Sequence, residues 1–169
     1  MTEQVLVGVG NQIMGDDGLS AAVVDLLRED GVDEVPGVDL DHAGTTAFFA
    51  MEAMDGADRA IVVDAVQMPK SDPGETHRLV YRDGDFGDGV PDINMHDFSF
   101  TEALTAGESA YDVPEEIVVL GMTPKDLTAG MTLSEPVAEN VDELVGMVRA
   151  ELERGGADLP PTDRSVTAP

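Results

Sequence analysis

The sequence predicts an α/β domain whose mostly parallel sheet is covered by helices on both faces. Apolar runs of strand length alternate with stretches of helical periodicity along the chain. The length of 169 residues and the hydrophobic content of 42% suit one folded domain. We assign residues 1–153 to this domain. Residues 154–169 are rich in Gly, Pro, Asp and Thr without apolar periodicity, and we expect them to form a flexible tail.

Three strands and two helices are predicted in the N-terminal part of the chain. The first strand covers Val5 to Val9. A helix is predicted after it because Leu19, Val23, Leu26 and Leu27 share one face, and this helix ends near Gly31. A second strand near residues 38–40 leads to a helix over about residues 45–54. The third strand, residues 60–66, is the most hydrophobic in the chain.

The remaining elements are predicted from residue 76 onwards. Residues 76–82 form a more polar strand, which favours a position near the sheet edge. A short helix over about residues 98–106 precedes the last strand, residues 116–121. The closing helix follows the capping-box pattern Thr132-x-x-Glu135, and its apolar residues between 137 and 152 recur at helical spacing.

Charge and composition exclude several classes of function. The 35 acidic and 9 basic residues give a formal net charge of −26, which argues against nucleic acid as a partner because phosphates require a basic face. The acidic residues are spread over nearly all polar segments, as expected for adaptation to a salt-rich cytoplasm. A basic partner attracted by this charge is the alternative. The absence of cysteine excludes disulfides, thiolate metal sites and a cysteine nucleophile.

The expected location is the cytoplasm. No apolar segment approaches the roughly 20 residues that a membrane helix needs, so no membrane partner is expected. The N-terminus lacks the basic and apolar regions of a signal peptide.

Glycines follow the first strand in the pattern Gly8-Val9-Gly10-Asn11. A dinucleotide-binding loop would require a third glycine at position 13, where the chain has Ile13. The nucleotide-binding fingerprint is therefore incomplete. The glycines by themselves indicate a tight backbone turn beside the carboxyl end of a strand.

Three aspartates are the strongest candidates for chemistry. Asp16 and Asp17 lie where the first helix begins, and only one of two adjacent carboxylates is able to cap that helix, which leaves the other for a ligand. Asp64 ends the most hydrophobic strand, and in open α/β sheets this end faces the binding crevice. Because burial of an unpartnered carboxylate costs several kcal/mol, a functional role is favoured for Asp64.

His96 completes a possible metal site. A single histidine is more often a surface or core residue than a metal ligand. A ligand role is favoured for His96 if the fold brings it to the same sheet edge as Asp17 and Asp64. Two carboxylates and one imidazole suit nickel, zinc or manganese and leave open positions for a substrate.

Taken together, these segments resemble the hydrogenase maturation endopeptidase family over about residues 4–150. The glycine turn, Asp16-Asp17-Gly18, Val62-Val63-Asp64-Ala65 and His96 occur in the family's order. Two later segments agree with this order: Val119 to Pro124, and Met131-Thr132-Leu133-Ser134.

The resemblance implies a three-layer α/β/α sandwich with a five-stranded sheet and a metal-binding trio of Asp17, Asp64 and His96. It also implies an endopeptidase that removes a C-terminal extension from a [NiFe] hydrogenase large-subunit precursor. The nickel would arrive with the precursor and would not be permanently bound. We assign Asp17, Asp64 and Asp16 as catalytic. Asp16 and Asp41 are candidates for a residue that supports the ligands or for the base, and we expect a monomer.

The sequence departs from the family pattern at two places. Ser20 stands where relatives commonly have a glycine, which bears on how closely the first helix packs on the sheet. The turn after the second strand, typically Asp-Gly-Gly-Thr, is Asp41-His42-Ala43-Gly44-Thr45 here, and His42 is a competing ligand candidate.

Three alternatives to the peptidase remain open. A nucleotide-binding domain is disfavoured by Ile13 and by the negative charge. A peptidyl-tRNA hydrolase shares the opening Gly-x-Gly-Asn, but the proline after that asparagine and the downstream Thr-Arg-His-Asn are missing. A noncatalytic nickel-sensing or nickel-carrier module would use the same trio, and the sequence does not separate it from a peptidase.

Overall fold

A five-stranded sheet forms the centre of the molecule in the computed structural model, which describes residues 3–45, 47–82, 86, 94–95 and 98–162. Across the sheet the strands run in the order β2 (Val38–His42), β1 (Gln4–Gly8), β3 (Arg59–Ala65), β7 (Glu116–Met122) and β4 (Thr76–Arg82). The first four are parallel, and β4 pairs antiparallel with β7. The prediction that residues 76–82 lie at a sheet edge is therefore confirmed.

Helices cover both faces of the sheet. Helices α1 (Leu19–Glu29) and α4 (Glu135–Arg154) pack on one face over a core that includes Leu6 and Ile61. Helices α2 (Ala47–Met54) and α3 (Phe100–Gly107) pack on the other. The three-layer α/β/α prediction is confirmed. Two short strands, β5 (Asn94–Met95) and β6 (Phe98–Ser99), pair with each other outside the main sheet.

The strand order creates a switch point between β1 and β3. The chain leaves β1 through α1 to reach β2 on one side, and it leaves β2 through α2 to reach β3 on the other side. At such a point the connections diverge at the carboxyl ends of the strands and leave a crevice. A binding site is therefore expected between the segments that follow β1 and β3.

Some element boundaries differ from the predictions. Strand β2 continues to His42, two residues beyond the predicted end. Helix α3 begins at Phe100, because Phe98 and Ser99 pair with β5. Most of the predicted loop over residues 83–92 lies outside the described residues.

The predicted capping box at the start of α4 is wrong. The helix begins at Glu135 with Ser134 as its N-cap residue, and Thr132 lies outside it. Ser134 makes no capping bond because its hydroxyl donates to Asp16 Oδ2 at 2.8 Å. The predicted apolar stripe of α4 is buried as expected: Val137, Val141, Leu144, Val145, Val148 and Leu152.

The described part of the predicted tail packs on the domain. Ala157 and Leu159 contact the core beneath α1 and α4. The Arg149 guanidinium donates to the carbonyl of Pro160, and the Thr162 hydroxyl donates to Asp30 at 3.2 Å. Residues 163–169 lie outside the described part of the chain.

Basic side chains gather at the amino edge of the sheet. Glu151 of α4 is 2% exposed and forms ion pairs with Arg59, Arg78 and Arg154. Arg59 also pairs with Glu116 at 3.4 Å. This network of ion pairs connects α4 to the starts of β3 and β7. The segments that carry Asp16, Asp17 and Asp64 lie at the opposite edge of the sheet.

Candidate active site

Asp64 lies at the carboxyl end of β3 and is 4% exposed. Burial raises its pKa well above the ordinary value, the negative charge of Asp17 raises it further, and a hydrogen bond from the Ala65 amide opposes both effects. A carboxyl in this position holds a proton more readily than a surface carboxyl and gains from any cation placed beside it.

Asp17 is positioned by the glycine turn that follows β1. The backbone amide of Asn11 donates to Asp17 Oδ2 at 2.8 Å. Gly10 has φ of +147°, and a Cβ at this residue would lie 2.1 Å from the carbonyl oxygen of Asp17. The Gly-x-Gly-Asn segment therefore holds the Asp17 loop against the end of β1, which accounts for these glycines without a nucleotide.

The structure brings Asp17 and Asp64 together at the switch point. Asp17 is half-buried in a 3-10 helix formed by Gly15–Gly18, which directly follows the turn. Its charge acts on Asp64, so two acidic groups share one site. Paired carboxylates of this kind are able to bind a divalent cation or to exchange a proton with a substrate.

Asp16 has a different environment from its neighbour. It is 1% exposed, and its carboxylate accepts bonds from the amides of Lys125 and Asp126 at 2.8 Å and from the amide of Ser134 at 2.7 Å. Burial acts to raise the pKa of Asp16, but these hydrogen bonds outweigh it and the pKa is lowered. The carboxylate of Asp16 thus binds backbone amides in the segment before α4 and does not cap α1. These contacts favour a structural role for Asp16 over the catalytic role expected from the sequence.

Ser20 and His42 form a pair beneath the glycine turn. The Gly44 amide donates to Nδ1 of His42 at 3.2 Å, which leaves Nε2 to donate to the Ser20 hydroxyl at 3.0 Å. Burial lowers the pKa of His42 despite the nearby acidic residues, so the neutral ring is favoured. Both ring nitrogens already have partners, which argues against His42 as a competing ligand. Asp41 is exposed and accepts from the His42 amide at 2.8 Å.

The third predicted ligand, His96, lies outside the described residues. Within the described ranges, no group of three or more His, Cys, Asp or Glu side chains is placed to hold a metal ion. The trio of Asp17, Asp64 and His96 therefore stays a prediction, for which the structure provides the two carboxylates.

A polar cluster that the sequence analysis did not identify lies at the same sheet edge. Nε2 of His77 is 3.0 Å from the Ser71 hydroxyl and 2.8 Å from the Thr123 hydroxyl. Strand register aligns His77 with Gly121, and Gly121 with Asp64. The three residues come from separate segments, so their meeting follows from the antiparallel pairing of β4 and not from any local motif.

Among the described residues, none of the helices combines the length and the apolar character needed to cross a membrane.

Comparison with known proteins gives one consistent result. The sequence profile of a family described as hydrogenase maturation protease matches residues 22–151. The Hydrogenase 2 maturation protease of Escherichia coli is 23% identical over 165 residues, which cover 94% of this chain and 96% of the relative.

Solved structures give the same similarity at the level of the fold. The hydrogenase maturating endopeptidase HybD from Escherichia coli has a TM-score of 0.77 at 21% identity and covers 96% of this chain and 100% of its own. The hydrogenase 2 maturation peptidase from a Thaumarchaeota archaeon has a TM-score of 0.67 at 26% identity, with coverage of 89% and 98%. The predicted α/β sandwich is therefore shared with peptidases of this kind.

Proposed function

Because the chain belongs to the hydrogenase maturation protease family, we propose that it removes a C-terminal extension from a nickel-loaded [NiFe] hydrogenase large-subunit precursor. The observation that carries the proposal is the buried carboxyl of Asp64, which the fold holds beside Asp17 at the switch point.

Nickel enters this proposal as part of the substrate. Asp17 and Asp64 supply two oxygen ligands, and His96 supplies the imidazole nitrogen. Burial and the charge of Asp17 favour the protonated form of Asp64, so the carboxylate becomes fully available when a cation compensates its charge. An oxygen-rich ligand set suits recognition of nickel that remains in the precursor, because a tighter set would remove the metal.

Peptide cleavage requires a water molecule at the scissile carbonyl. The water oxygen forms the new bond to the carbonyl carbon, the carbon–nitrogen bond breaks, and the proton released by the water passes to the departing amine. The Asp64 carboxylate, deprotonated once the cation compensates its charge, is the candidate base that accepts that proton from the water and returns it to the amine. Ligation of the precursor's nickel positions the peptide for this step.

In this proposal Asp16 has a structural role. It fixes the residue 125–134 segment against the 3-10 helix that contains Asp17, so it positions the site without touching the substrate. The cytoplasmic location and the monomeric state expected from the sequence stay predictions.

The test uses the purified protein in high salt with nickel-loaded and nickel-free precursor of the large subunit from the same organism. Loss of a short C-terminal peptide from the nickel-loaded precursor, followed by intact mass spectrometry, is the expected result. Asp64→Asn should abolish cleavage in a folded protein.

Two outcomes would contradict the proposal. Equal cleavage of the nickel-free precursor would remove nickel from recognition. Binding of the nickel-loaded precursor without cleavage, by a folded wild-type protein, would favour the noncatalytic nickel-sensing or carrier module.

A further inference from the structure

Exposed apolar side chains are unevenly distributed over this acidic molecule. The large hydrophobic residues that are exposed in the described part of the chain are Ile13, Phe48, Phe49, Leu127 and Met131. Each lies on a segment that follows the carboxyl end of a strand: β1 for Ile13, β2 for the two phenylalanines and β7 for the other two. All of them are therefore at the edge of the sheet that carries Asp17 and Asp64.

Three of these side chains belong to two loops that are joined to each other. The amide of Gly130 donates to the carbonyl of Ile13 at 2.8 Å, and the amide of Gly15 donates to the carbonyl of Gly130 at 2.8 Å. These bonds bring Met131, which is 78% exposed, next to the loop that carries Ile13 at 58% exposure. We call Ile13, Leu127 and Met131 the apolar rim.

The rim is fixed in place relative to the candidate active site. Gly15 begins the 3-10 helix that contains Asp17. The buried carboxylate of Asp16 binds the amides of Lys125 and Asp126 directly before Leu127, and the amide of Ser134 shortly after Met131. A loop backbone that is held this firmly loses little conformational entropy on binding, which is the property of a preorganised contact surface.

We propose that the apolar rim is the docking surface for the folded body of the large-subunit precursor, next to the point where its C-terminal extension enters the site. This inference rests on the proposed function and adds the surface that selects the folded precursor.

The charge of the molecule supports an apolar partner surface. With a net charge of −26, the polar faces repel any acidic protein, and high salt screens the attraction of a basic one. Burial of apolar surface is not weakened in this way, and salting-out ions strengthen it. Contacts through the rim thus provide an attraction that persists at molar salt.

The experiment compares binding and cleavage of the nickel-loaded precursor in molar KCl. The rim variant is Leu127→Ser with Met131→Ser. Its matched control is Ala129→Ser with Thr132→Ser, which changes exposed neighbours in the same loop without removing a large apolar group. Asp64→Asn is the third variant, and the thermal unfolding of each protein is recorded first.

We expect the rim variant to bind the precursor at least about tenfold more weakly than wild type. Burial of one Leu or Met side chain is enough to change a binding affinity by about this factor. The control variant should bind like wild type. Asp64→Asn should keep the part of the binding that the rim provides and should not cleave.

Wild-type binding and cleavage by the folded rim variant would overturn the docking proposal and leave the proposed function intact. A wild-type dimer that the rim substitutions dissociate would assign the surface to a second copy of the chain and would also overturn it. Absence of binding and cleavage by folded wild type would overturn both proposals.

Discussion

The role of Asp64 was recognisable from the sequence, whereas the role of Asp16 was not. An aspartate at the end of the most hydrophobic strand is unexpected in a core, and the structure places it 4% exposed at the switch point. Asp16 looked equivalent to Asp17 because the two are adjacent. Its partners Lys125, Asp126 and Ser134 are more than 100 residues away, so no local pattern contains its role.

Replacement of Asp64 should make the metal-free protein more stable at neutral pH. Its pKa is raised in the folded state, so around and above the ordinary pKa the folded protein binds more protons than the unfolded chain, and stability falls as pH rises. Asp64→Asn removes this cost. We expect a Tm a few degrees above wild type at pH 7 with a chelator present, since about 1 kcal/mol shifts Tm by roughly 2–4 °C for a chain of this size.

The same comparison at acid pH is the internal control. Below the ordinary pKa of an aspartate, the wild-type carboxyl is protonated in both states, and the advantage of Asp64→Asn should disappear. A variant that is less stable than wild type at pH 7 would mean that the Asp64 carboxylate is well compensated in the folded protein.

At the scale of elements, the contact between α1 and the sheet depends on Gly8. A Cβ at this residue would lie 2.9 Å from Cδ2 of His42 and 3.2 Å from both Ser20 and Val24 side-chain atoms. Ser20 and His42 occupy space that glycines at these positions would leave empty, and their hydrogen bond joins α1 to β2. The serine therefore does not prevent close packing of the first helix.

Gly8→Ala should destabilise the protein by about 1–3 kcal/mol through overpacking of this contact. Introducing His42→Gly into the same chain removes the closest clash, and part of the loss should be recovered relative to the sum of the two single variants. Urea unfolding of the four proteins measures this coupling. Strict additivity would show that Gly8 is not constrained by His42.

The central strands were predictable because a strand that is buried on both faces is a continuous apolar run, which the sequence displays without tertiary information. The helix starts were less predictable. Thr132 and Glu135 have the spacing of a capping box, yet α4 begins two residues later than the box requires, with Ser134 as its N-cap residue and the Ser134 hydroxyl bonded to Asp16. The polar cluster of His77, Ser71 and Thr123 was equally inaccessible, since it needs the antiparallel register of β4.

At the scale of the whole molecule, the two edges of the sheet have different compositions. Four arginines are used at the amino edge in ion pairs with Glu116 and Glu151: Arg59, Arg78, Arg82 and Arg154. The carboxyl edge has the aspartate pair and the apolar rim. Because internal bridges use much of the small basic complement, the acidic surface charges gain little compensation from neighbouring side chains.

Stability should therefore increase with salt. Between about 0.1 M and 1 M KCl the Debye length falls from roughly 10 Å to 3 Å, which weakens repulsion among surface carboxylates more than it weakens the buried pairs of Glu151. We expect Tm to rise by several degrees over this range, with a neutral osmolyte as the control for solute exclusion. A Tm independent of KCl would contradict adaptation to a salt-rich cytoplasm.

The bonds of Asp16 also have a consequence for the time at which the protein acquires its activity during synthesis. The loop after β1 is made first, but the amides that satisfy Asp16 belong to residues 125, 126 and 134. Strand β7, which joins β3 to β4, is also made late. A nascent chain that has not reached residue 134 leaves this carboxylate without its full set of partners. The enzyme is therefore expected to stay inactive on the ribosome until its last helix has emerged.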